Sequence, residues 1–400
     1  MPFTTLGLSD AISHPLSRMG YGQPTPVQTQ SIPIVLSGSD LLARAQTGTG
    51  KTAAFALPMI DRLLAHGHRQ AGSRAARGLV LVPTRELASQ VHRAFATYGA
   101  PANLRVTAIY GGVPMRPQRE ALRRGIDIVV ATPGRLIDHL QQGSIDLSRI
   151  EILTLDEADR MLDMGFLPSL RRILPALPRR RQTLMFSATH STEMTRLAAE
   201  FTREPRHVDV SQRQVVAATV SHRVHAVPEG GKSDALTDVL AETPADRALV
   251  FCKTKRRSDR VGEQLNRAGV RAAVIHGNKS QGARNRALGD FKAGRVNVLV
   301  ATDVAARGLD IAQLPLVINY DLPLAADDYV HRVGRTGRAG RAGRAVSLVT
   351  TAERGLLPAI QRLLSTPLEE VAGKSPSHIG HRTPAQITRH TGIRARKTGR

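Results

Sequence analysis

Residues 45–52 read AQTGTGKT, and this stretch decides the fold of the first half of the chain. The short apolar run DLLAR precedes it and the helical segment TAAFALPMIDRLL follows it, so the predicted order is strand, loop, helix. Glycines in such a loop let backbone N–H groups surround a phosphate, and the N-terminus of the next helix favours the anion. Lys51 can reach the β and γ oxygens of a nucleotide, and Thr52 can hold Mg²⁺. The predicted phosphate-contacting residues are Ala45, Gln46, Thr47, Gly48, Thr49, Gly50, Lys51 and Thr52.

An acidic pair, Asp156 and Glu157, follows the apolar run ILTL. A nucleotide hydrolase needs such a pair at the end of a neighbouring strand. Asp156 would bind Mg²⁺, directly or through water, and Glu157 would orient or deprotonate the attacking water. Taken alone, the pair could equally be a solvated helix N-terminus. The phosphate loop upstream favours the catalytic interpretation.

Short apolar runs alternate with helix-length segments, which is typical of a parallel sheet with crossover helices. The runs are GLVLVPT at 78–84, IDIVVATPG at 126–134, IEILTLDE at 150–157, QTLMFSAT at 182–189, ALVFCKT at 248–254 and VNVLVATD at 296–303. The runs beginning at 79 and 128 lie about as far apart as those at 248 and 298, so the layout repeats. We therefore predict one domain over 1–204, a linker over 205–220, a second domain over 221–367 and a flexible basic tail over 368–400.

The charge of the chain predicts a polyanionic partner. It contains 56 Lys and Arg against 33 Asp and Glu, for a formal net charge of +23. Cys252 is the only cysteine, which excludes an intramolecular disulfide and a cysteine-based metal cluster. The N-terminus lacks a signal-peptide pattern, and no apolar run is long enough to cross a membrane. We expect a cytoplasmic protein with no membrane association and an undefined oligomeric state.

Residues Asp156 to Asp159 spell DEAD, and further motifs follow in the order typical of one family. From Phe3 to about residue 365 the chain resembles the DEAD-box ATP-dependent RNA helicases. The wording DEADRMLDMGF and the short C-terminal part are most similar to the bacterial RhlE-type subgroup. The resemblance implies an α/β fold with two tandem RecA-like domains, each a mostly parallel sheet with helices on both faces. It also implies ATP and Mg²⁺ as cofactors and RNA-dependent ATP hydrolysis.

The resemblance assigns further residues to the nucleotide site. In GYGQPTPVQ, Gln28 would read the adenine edge, Tyr21 would stack on the base and Phe3 would support it. The hydroxyls of Ser187 and Thr189 would bond back to the acidic motif, with Asp159 as their partner. The second domain would contribute Asp310 to the ribose, His331 to the coupling between ATP and domain contacts, and Arg335 and Arg338 as arginine fingers.

RNA contacts are implied mainly to phosphates and riboses, without sequence readout. The residues are Pro83, Thr84, Arg85, Gly111, Gly112, Thr132, Pro133, Gly134 and Arg135 in the first domain, and Gln281, Arg284, Thr302 and Gly308 in the second. Asn278 replaces the aspartate that relatives usually have, and no role is assigned to it. Only 3% of the residues are aromatic, so recognition by base stacking is not expected. Single-stranded RNA and short RNA duplexes are the expected partners, and ribosomal or mRNA-decay assemblies are further candidates.

Two functions share all of these motifs. One is a helicase that separates short RNA duplexes or remodels RNA–protein complexes by ATP hydrolysis. The other is an ATP-gated RNA clamp in which strand separation is incidental. A DNA translocase is disfavoured by the DEAD spelling and by Gln28, and a small-molecule kinase would leave the second domain unexplained.

Overall fold

The computed structural model describes residues 2–45, 48–67, 75–189, 191–210, 220–243, 246–306, 311, 314–337, 342–364 and 366–371. The chain divides into two compact units, Met1–Gln212 and Arg213–Arg400. Each unit contains one seven-stranded sheet, and all strand pairs described in both sheets are parallel.

The first unit alternates strands and helices along the chain. Its strands are β1 (Leu41–Arg44), β2 (Gly78–Leu81), β3 (Val106–Ile109), β4 (Ile128–Ala131), β5 (Ile152–Leu155), β6 (Gln182–Ser187) and β7 (Arg206–Asp209). Its helices are α1 (Asp10–Arg18), α2 (Pro26–Leu36), α3 (Lys51–Ala65), α4 (Arg85–Gly99), α5 (Met115–Arg123), α6 (Pro133–Gln141), α7 (Ala158–Asp163), α8 (Leu167–Ile173) and α9 (Thr192–Phe201). The strands lie in the order β3-β4-β2-β5-β6-β1-β7.

The strands of this sheet are apolar on both faces because helices cover both faces. Along β2, Val80 packs into one core with α1 to α4, whereas Leu79 and Leu81 pack into a second core with α6 to α9. Successive side chains of a strand point to opposite faces, so a continuous apolar run supplies both cores. The structure confirms the predicted RecA-like layering.

The second unit repeats this organisation. Its strands are β8 (Val220–Ala226), β9 (Ala248–Phe251), β10 (Ala272–Ile275), β11 (Val298–Ala301), β12 (Leu316–Asn319), β13 (Gly343–Val349) and β14 (Leu368–Val371). Its helices are α10 (Lys232–Glu242), α11 (Lys255–Arg267), α12 (Gln281–Lys292), α13 (Asp303–Ala306), α14 (Ala326–Val333) and α15 (Leu357–Gln361). The order β10-β11-β9-β12-β13-β8-β14 is that of the first sheet with every strand number raised by seven.

Two segments differ from the predicted boundaries. The predicted linker over 205–220 contains β7, which pairs with β1 and buries Val208, and it ends on the first residue of β8. The predicted tail over 368–400 begins with β14, which pairs with β8. Both are four-residue edge strands, RHVD and LEEV, in which at least half of the residues are polar, so neither has the apolar run that identified the central strands. Residues 211–219 and 372–400 lie outside the described residues.

None of the helices in the described ranges is long and apolar enough to span a membrane.

Candidate nucleotide and RNA sites

Apart from Phe3, Tyr21 and Gln28, which precede β1, the predicted site residues of the first unit lie at or beyond the carboxyl ends of its strands, which meet at one edge of a parallel sheet. The phosphate loop, the acidic pair and the Ser-Ala-Thr motif follow β1, β5 and β6, which are neighbours in the sheet. The motifs predicted to bind RNA follow β2, β3 and β4, which are neighbours on the other side. We name these two groups of loops the nucleotide half and the RNA half of the edge, after the ligands predicted for them.

The phosphate loop leads from β1 to Lys51, the first residue of α3. Gly48 and Gly50 have φ angles of 84° and 89°, which favour glycine. A side chain at Gly50 would also collide with the Gln28 amide. Only glycine therefore fits this position, on the grounds of both backbone angle and space. Gln46 and Thr47 lie outside the described residues.

Lys51 and Asp156 carry buried charges in this half. The Lys51 side chain is buried, and its Nζ has no hydrogen-bond partner among the described residues. Burial raises the pKa of Asp156 to about 6, and the nearby Glu157 and Asp159 charges also raise it, while Lys51 lowers it. An ammonium buried without a partner is costly unless an anion completes the site, so the residues fit a nucleotide phosphate.

No cluster of three or more metal-binding side chains occurs in the part of the chain that the structure describes. Mg²⁺ in nucleotide sites commonly takes one or two protein oxygens and completes its coordination with phosphates and water. Thr52 and Asp156 fit that donor set.

Glu157 has an unusual backbone conformation and a buried partner. Its φ angle of 53° is left-handed, which is uncommon for a residue with a side chain and costs about 1–2 kcal/mol. Its Oε2 accepts a hydrogen bond of 2.6 Å from Nη1 of Arg160, and both side chains are 9% exposed. Sequence reasoning missed Arg160, although its spacing of three residues on a helix allows the contact.

Asp159 connects the acidic motif to the Ser-Ala-Thr motif. Its Oδ2 accepts from the backbone N–H groups of Ala188 and Thr189, at 2.9 and 2.8 Å, and from the Thr189 hydroxyl at 3.0 Å. The Ser187 hydroxyl donates instead to the carbonyl of Thr189. The predicted bond from Ser187 to Asp159 is therefore absent, and Thr189 alone supplies the hydroxyl.

Gln28 is buried and contacts the phosphate loop. Its Oε1 accepts from the N–H of Thr25 at 2.9 Å, and its Nε2 donates to the carbonyl of Gly50 at 3.1 Å. The carbonyl oxygen and the amide nitrogen of a glutamine each have a second hydrogen-bonding position. Reading of an adenine edge by Gln28 stays a prediction.

An aromatic group surrounds Tyr21. Phe3 and Tyr98 both contact the Tyr21 ring edge-to-face, with ring centroids 6.1 and 5.9 Å away. Phe3 is buried, whereas Tyr21 is half-buried, so of these two Tyr21 has the more accessible ring. This placement suits the predicted stacking role of Tyr21 and the supporting role of Phe3.

In the RNA half, Thr84 is the N-cap of α4, and its hydroxyl accepts from the N–H of Leu87. The guanidinium of Arg85 lies against Gly111 and Gly112, and a side chain at Gly112 would collide with it. The motifs after β2 and β3 are therefore in direct contact. Pro83 directly precedes Thr84 in the same loop.

The motif after β4 joins the same group. Thr132 is the N-cap of α6 and Pro133 is its first residue, followed by Gly134. Both terminal nitrogens of Arg135 donate to the carbonyl of Val113, at 3.1 and 3.2 Å. Arg135 thus holds the loop after β3 in place, a role that the sequence did not predict.

In the second unit, the predicted RNA-binding residues follow β10 and β11. Gln281 and Arg284 lie in the first turn of α12, and Thr302 follows β11. These strands occupy the same positions in the second sheet as β3 and β4 in the first.

The strand β9 is the counterpart of β2, and the loop after it contains residues that sequence reasoning missed. Thr254 caps α11 and accepts from the N–H of Arg257, and its φ and ψ angles of −129° and 153° nearly equal the −131° and 154° of Thr84. Lys255 then corresponds to Arg85.

The exposed Lys255 donates to Oδ1 of Asn278 at 2.7 Å. The offset of 170 residues between β2 and β9, which β4 and β11 share, was the signal in the sequence that could have identified Thr254 and Lys255.

The motif HRVGRTGR begins within α14. Arg332, which was not predicted as a site residue, is buried; it pairs with both carboxylate oxygens of Asp303 and donates to the carbonyl of Asp321. This arginine therefore links α14 to the end of β11. His331 lies in the last turn of α14, and Arg335 lies just beyond that helix. Gly308, Asp310 and Arg338 lie outside the described residues.

The phosphate loop, the buried lysine and the carboxylates after β5 define the class of P-loop nucleotide-binding α/β proteins. The family description "DEAD/DEAH box helicase" matches residues 25–197, and "Helicase conserved C-terminal domain" matches residues 231–340. The chain is 42% identical to the DEAD-box ATP-dependent RNA helicase CshA of Bacillus cereus, over 90% of this chain and 67% of that protein. It is 43% identical to the ATP-dependent RNA helicase DeaD of Mycobacterium tuberculosis, over 92% of this chain and 64% of that protein. The chain therefore belongs to the DEAD-box family of ATP-dependent RNA helicases.

Solved structures agree. The chain is similar to Dbp5 of S. cerevisiae bound to RNA and ADP BeF3, with a TM-score of 0.82 and 28% identity over 98% of this chain and 99% of that one. It also resembles a DEAD box protein from Methanococcus jannaschii, with a TM-score of 0.51 and 36% identity over 93% of this chain and 99% of that one.

Proposed function

We propose that this RNA helicase binds ATP on the nucleotide half and RNA on the RNA half of its sheet edges, and couples hydrolysis to local separation of short RNA duplexes or to remodelling of RNA–protein complexes. The observation that carries this proposal is the buried Lys51 ammonium, which lacks a hydrogen-bond partner among the described residues at the end of the phosphate loop. The charge of Lys51 acts on the buried Asp156 carboxyl.

In the nucleotide half, Lys51 and the amides of the glycine-rich loop would bind the phosphates, and Thr52 with Asp156 would hold Mg²⁺. The metal, when bound, would neutralise charge on the phosphates. Burial of Asp156 would make its carboxylate a strong ligand, because water competes little for it.

Glu157 would orient the attacking water and accept its proton. The Arg160 guanidinium keeps one carboxylate oxygen of Glu157 occupied, which leaves the other oxygen for water. The left-handed backbone of Glu157 supports this functional role, since strained residues are concentrated at active sites.

Asp159 and Thr189 would transmit the state of the nucleotide. Asp159 lies two positions beyond Glu157, the residue proposed to orient the water. Three hydrogen bonds connect its carboxylate to the residues that follow β6. A shift of the acidic motif on hydrolysis would therefore move the Ser-Ala-Thr motif with it.

RNA would lie along the RNA half of each sheet edge. Arg85, against Gly111 and Gly112, and Arg135, near Gly111, would supply guanidinium donors to the RNA, and the glycines would let the sugar-phosphate backbone approach closely. In the second unit we add Thr254 and Lys255 to the predicted set, because their loop matches the Thr84 loop in sheet position and cap geometry.

The proposal extends to a subgroup and to the setting in which the protein works. The sequence DEADRMLDMGF supports membership of the RhlE-type subgroup. The net charge of +23 supports binding to large RNA assemblies, such as those of ribosomes or mRNA decay in the cytoplasm.

Separate loss of the two activities tests the proposal. Arg85→Ala and Lys255→Ala should each weaken binding of single-stranded RNA while leaving the ATP affinity of the RNA-free protein unchanged. If either variant lowered ATP affinity as much as RNA affinity, the division of the edge into two halves would be wrong. Multiple-turnover unwinding of a short RNA duplex by the wild type then separates a helicase from a clamp, which would release one strand at most once per binding event.

A further inference from the structure

The Tyr21 ring is held through its hydroxyl. The Tyr21 and Tyr98 hydroxyl oxygens lie 2.7 Å apart, within hydrogen-bonding distance. A phenylalanine at either position would lack the hydroxyl and could not make this contact.

The partner hydroxyl belongs to a well-packed element. Tyr98 lies near the C-terminal end of α4, is 9% exposed and packs in the core beneath the sheet. Burial, and then the hydrogen bond with Tyr21, raise the pKa of Tyr98, so its phenol stays protonated throughout the working pH range. A rigid, protonated partner can fix the position of a ring at the surface.

The two edge-to-face contacts restrict the same ring. Phe3 and Tyr98 meet Tyr21 with interplanar angles of 82° and 79°. Edge-to-face neighbours together with a bonded hydroxyl leave the Tyr21 ring little freedom to rotate or swing. A ring that is already in place loses less entropy when a base stacks on it.

We propose that Tyr98 is a positioning residue for nucleotide binding, which holds the Tyr21 ring in the orientation that stacks on the adenine of ATP. This inference rests on the proposed role of Tyr21 in the nucleotide site. Tyr98 would act through the Tyr21 ring and not by contact with the nucleotide, so its effect would fall on binding and not on the chemical step.

The test compares Tyr98→Phe, Tyr21→Phe and the double variant by steady-state ATPase kinetics with saturating RNA. Each single variant should raise KM for ATP about threefold to tenfold, the range of one ordinary hydrogen bond, and leave kcat unchanged. The double variant should be no worse than either single one, since both changes remove the same contact. Tyr329→Phe is the matched control. It loses a buried hydroxyl contact to His222 in the second unit and should not change KM.

A wild-type KM in Tyr98→Phe, or effects that add in the double variant, would overturn the proposal. A parallel fall in kcat and thermal stability, without a change in KM, would show that Tyr98 only supports the fold and would also overturn it. Tyr21→Ala distinguishes the stacking role of Tyr21 from the positioning role of Tyr98. If removal of the whole ring left KM unchanged, the proposed place of the base would be wrong; if it raised KM while Tyr98→Phe did not, only the positioning role would fail.

Discussion

Replacing Asp156 with asparagine is expected to stabilise the empty protein while abolishing hydrolysis. Burial raises the pKa of this carboxyl from 3.8 to about 6, and that value already includes the attraction of Lys51. A difference of about two pKa units corresponds to about 3 kcal/mol, by which the charged group destabilises the first unit at neutral pH. Asparagine has nearly the same shape and keeps an oxygen for the 3.0 Å hydrogen bond from the Glu157 N–H.

The pH dependence has a defined sign. Because the pKa is higher in the folded than in the unfolded state, the folded protein binds the proton more tightly. The cost of the charge is therefore fully present above pH about 6 and disappears as the pH falls towards 3.8. The stability advantage of Asp156→Asn should be largest at pH 7.5 and should vanish near pH 4.

Hydrogen exchange in the intact chain measures this effect. Peptides covering β5 report the first unit, and peptides covering β12 of the second unit provide an internal reference. At pH 7.5, Asp156→Asn should slow exchange in β5 and leave β12 unchanged. With Mg²⁺ and ATP present, β5 should exchange more slowly in the wild type than in Asp156→Asn, because these ligands should stabilise the wild type more than the variant.

Glu157→Gln is the matched control. It is also an isosteric loss of one carboxylate charge, but Glu157 is paired with the buried Arg160, so we expect destabilisation by about 1–3 kcal/mol. Adjacent substitutions should thus act in opposite directions. If Asp156→Asn were neutral or destabilising at pH 7.5, the buried carboxylate would not carry the cost assigned to it.

Four further outcomes follow from the site residues. Lys51→Ala should lower ATP affinity at least about tenfold, since a hydrogen bond to a charged group contributes about 1.5–3 kcal/mol; calorimetric titration giving wild-type affinity would contradict this. Gln28→Ala should reduce the preference for ATP over GTP in kcat/KM, and a wild type without that preference would refute the adenine-reading role. In Asn278→Asp, the new carboxylate should pair with Lys255, and the log-log dependence of RNA affinity on salt should become shallower by about 0.7. Gln30→Glu, which adds an acid at an exposed position of α2, should leave that dependence unchanged. Arg338→Lys should keep ATP affinity but lose most RNA-stimulated turnover, because an arginine finger contributes about 10³–10⁵ in rate and lysine lacks its fork; near-normal kcat would remove it from the catalytic set.

The sequence predicted the parts of the fold that depend on apolar runs and glycine loops. The runs at 78–84 and 248–254 contain β2 and β9, and AQTGTGKT leads into α3 as predicted. The edge strands β7 and β14 were missed because their pairing comes from the backbone of β1 and β8, and the one apolar residue of RHVD and the two of LEEV form no apolar run.

The site was predictable where one motif carries one role, and less so where side chains from distant segments meet. No local pattern places Tyr98 beside Tyr21, 77 residues away, or Arg135 on the carbonyl of Val113. The Ser187 bond was mispredicted because a hydroxyl at a strand end can also reach a carbonyl two residues on.

The most direct test of the central claim is the ATPase rate of the full chain with no nucleic acid, with saturating single-stranded RNA and with DNA of the same sequence. If RNA gates hydrolysis through the two halves of the sheet edge, kcat should rise strongly with RNA and remain near the basal rate with DNA. Equal stimulation by RNA and DNA, or a basal rate unaffected by RNA, would contradict the account.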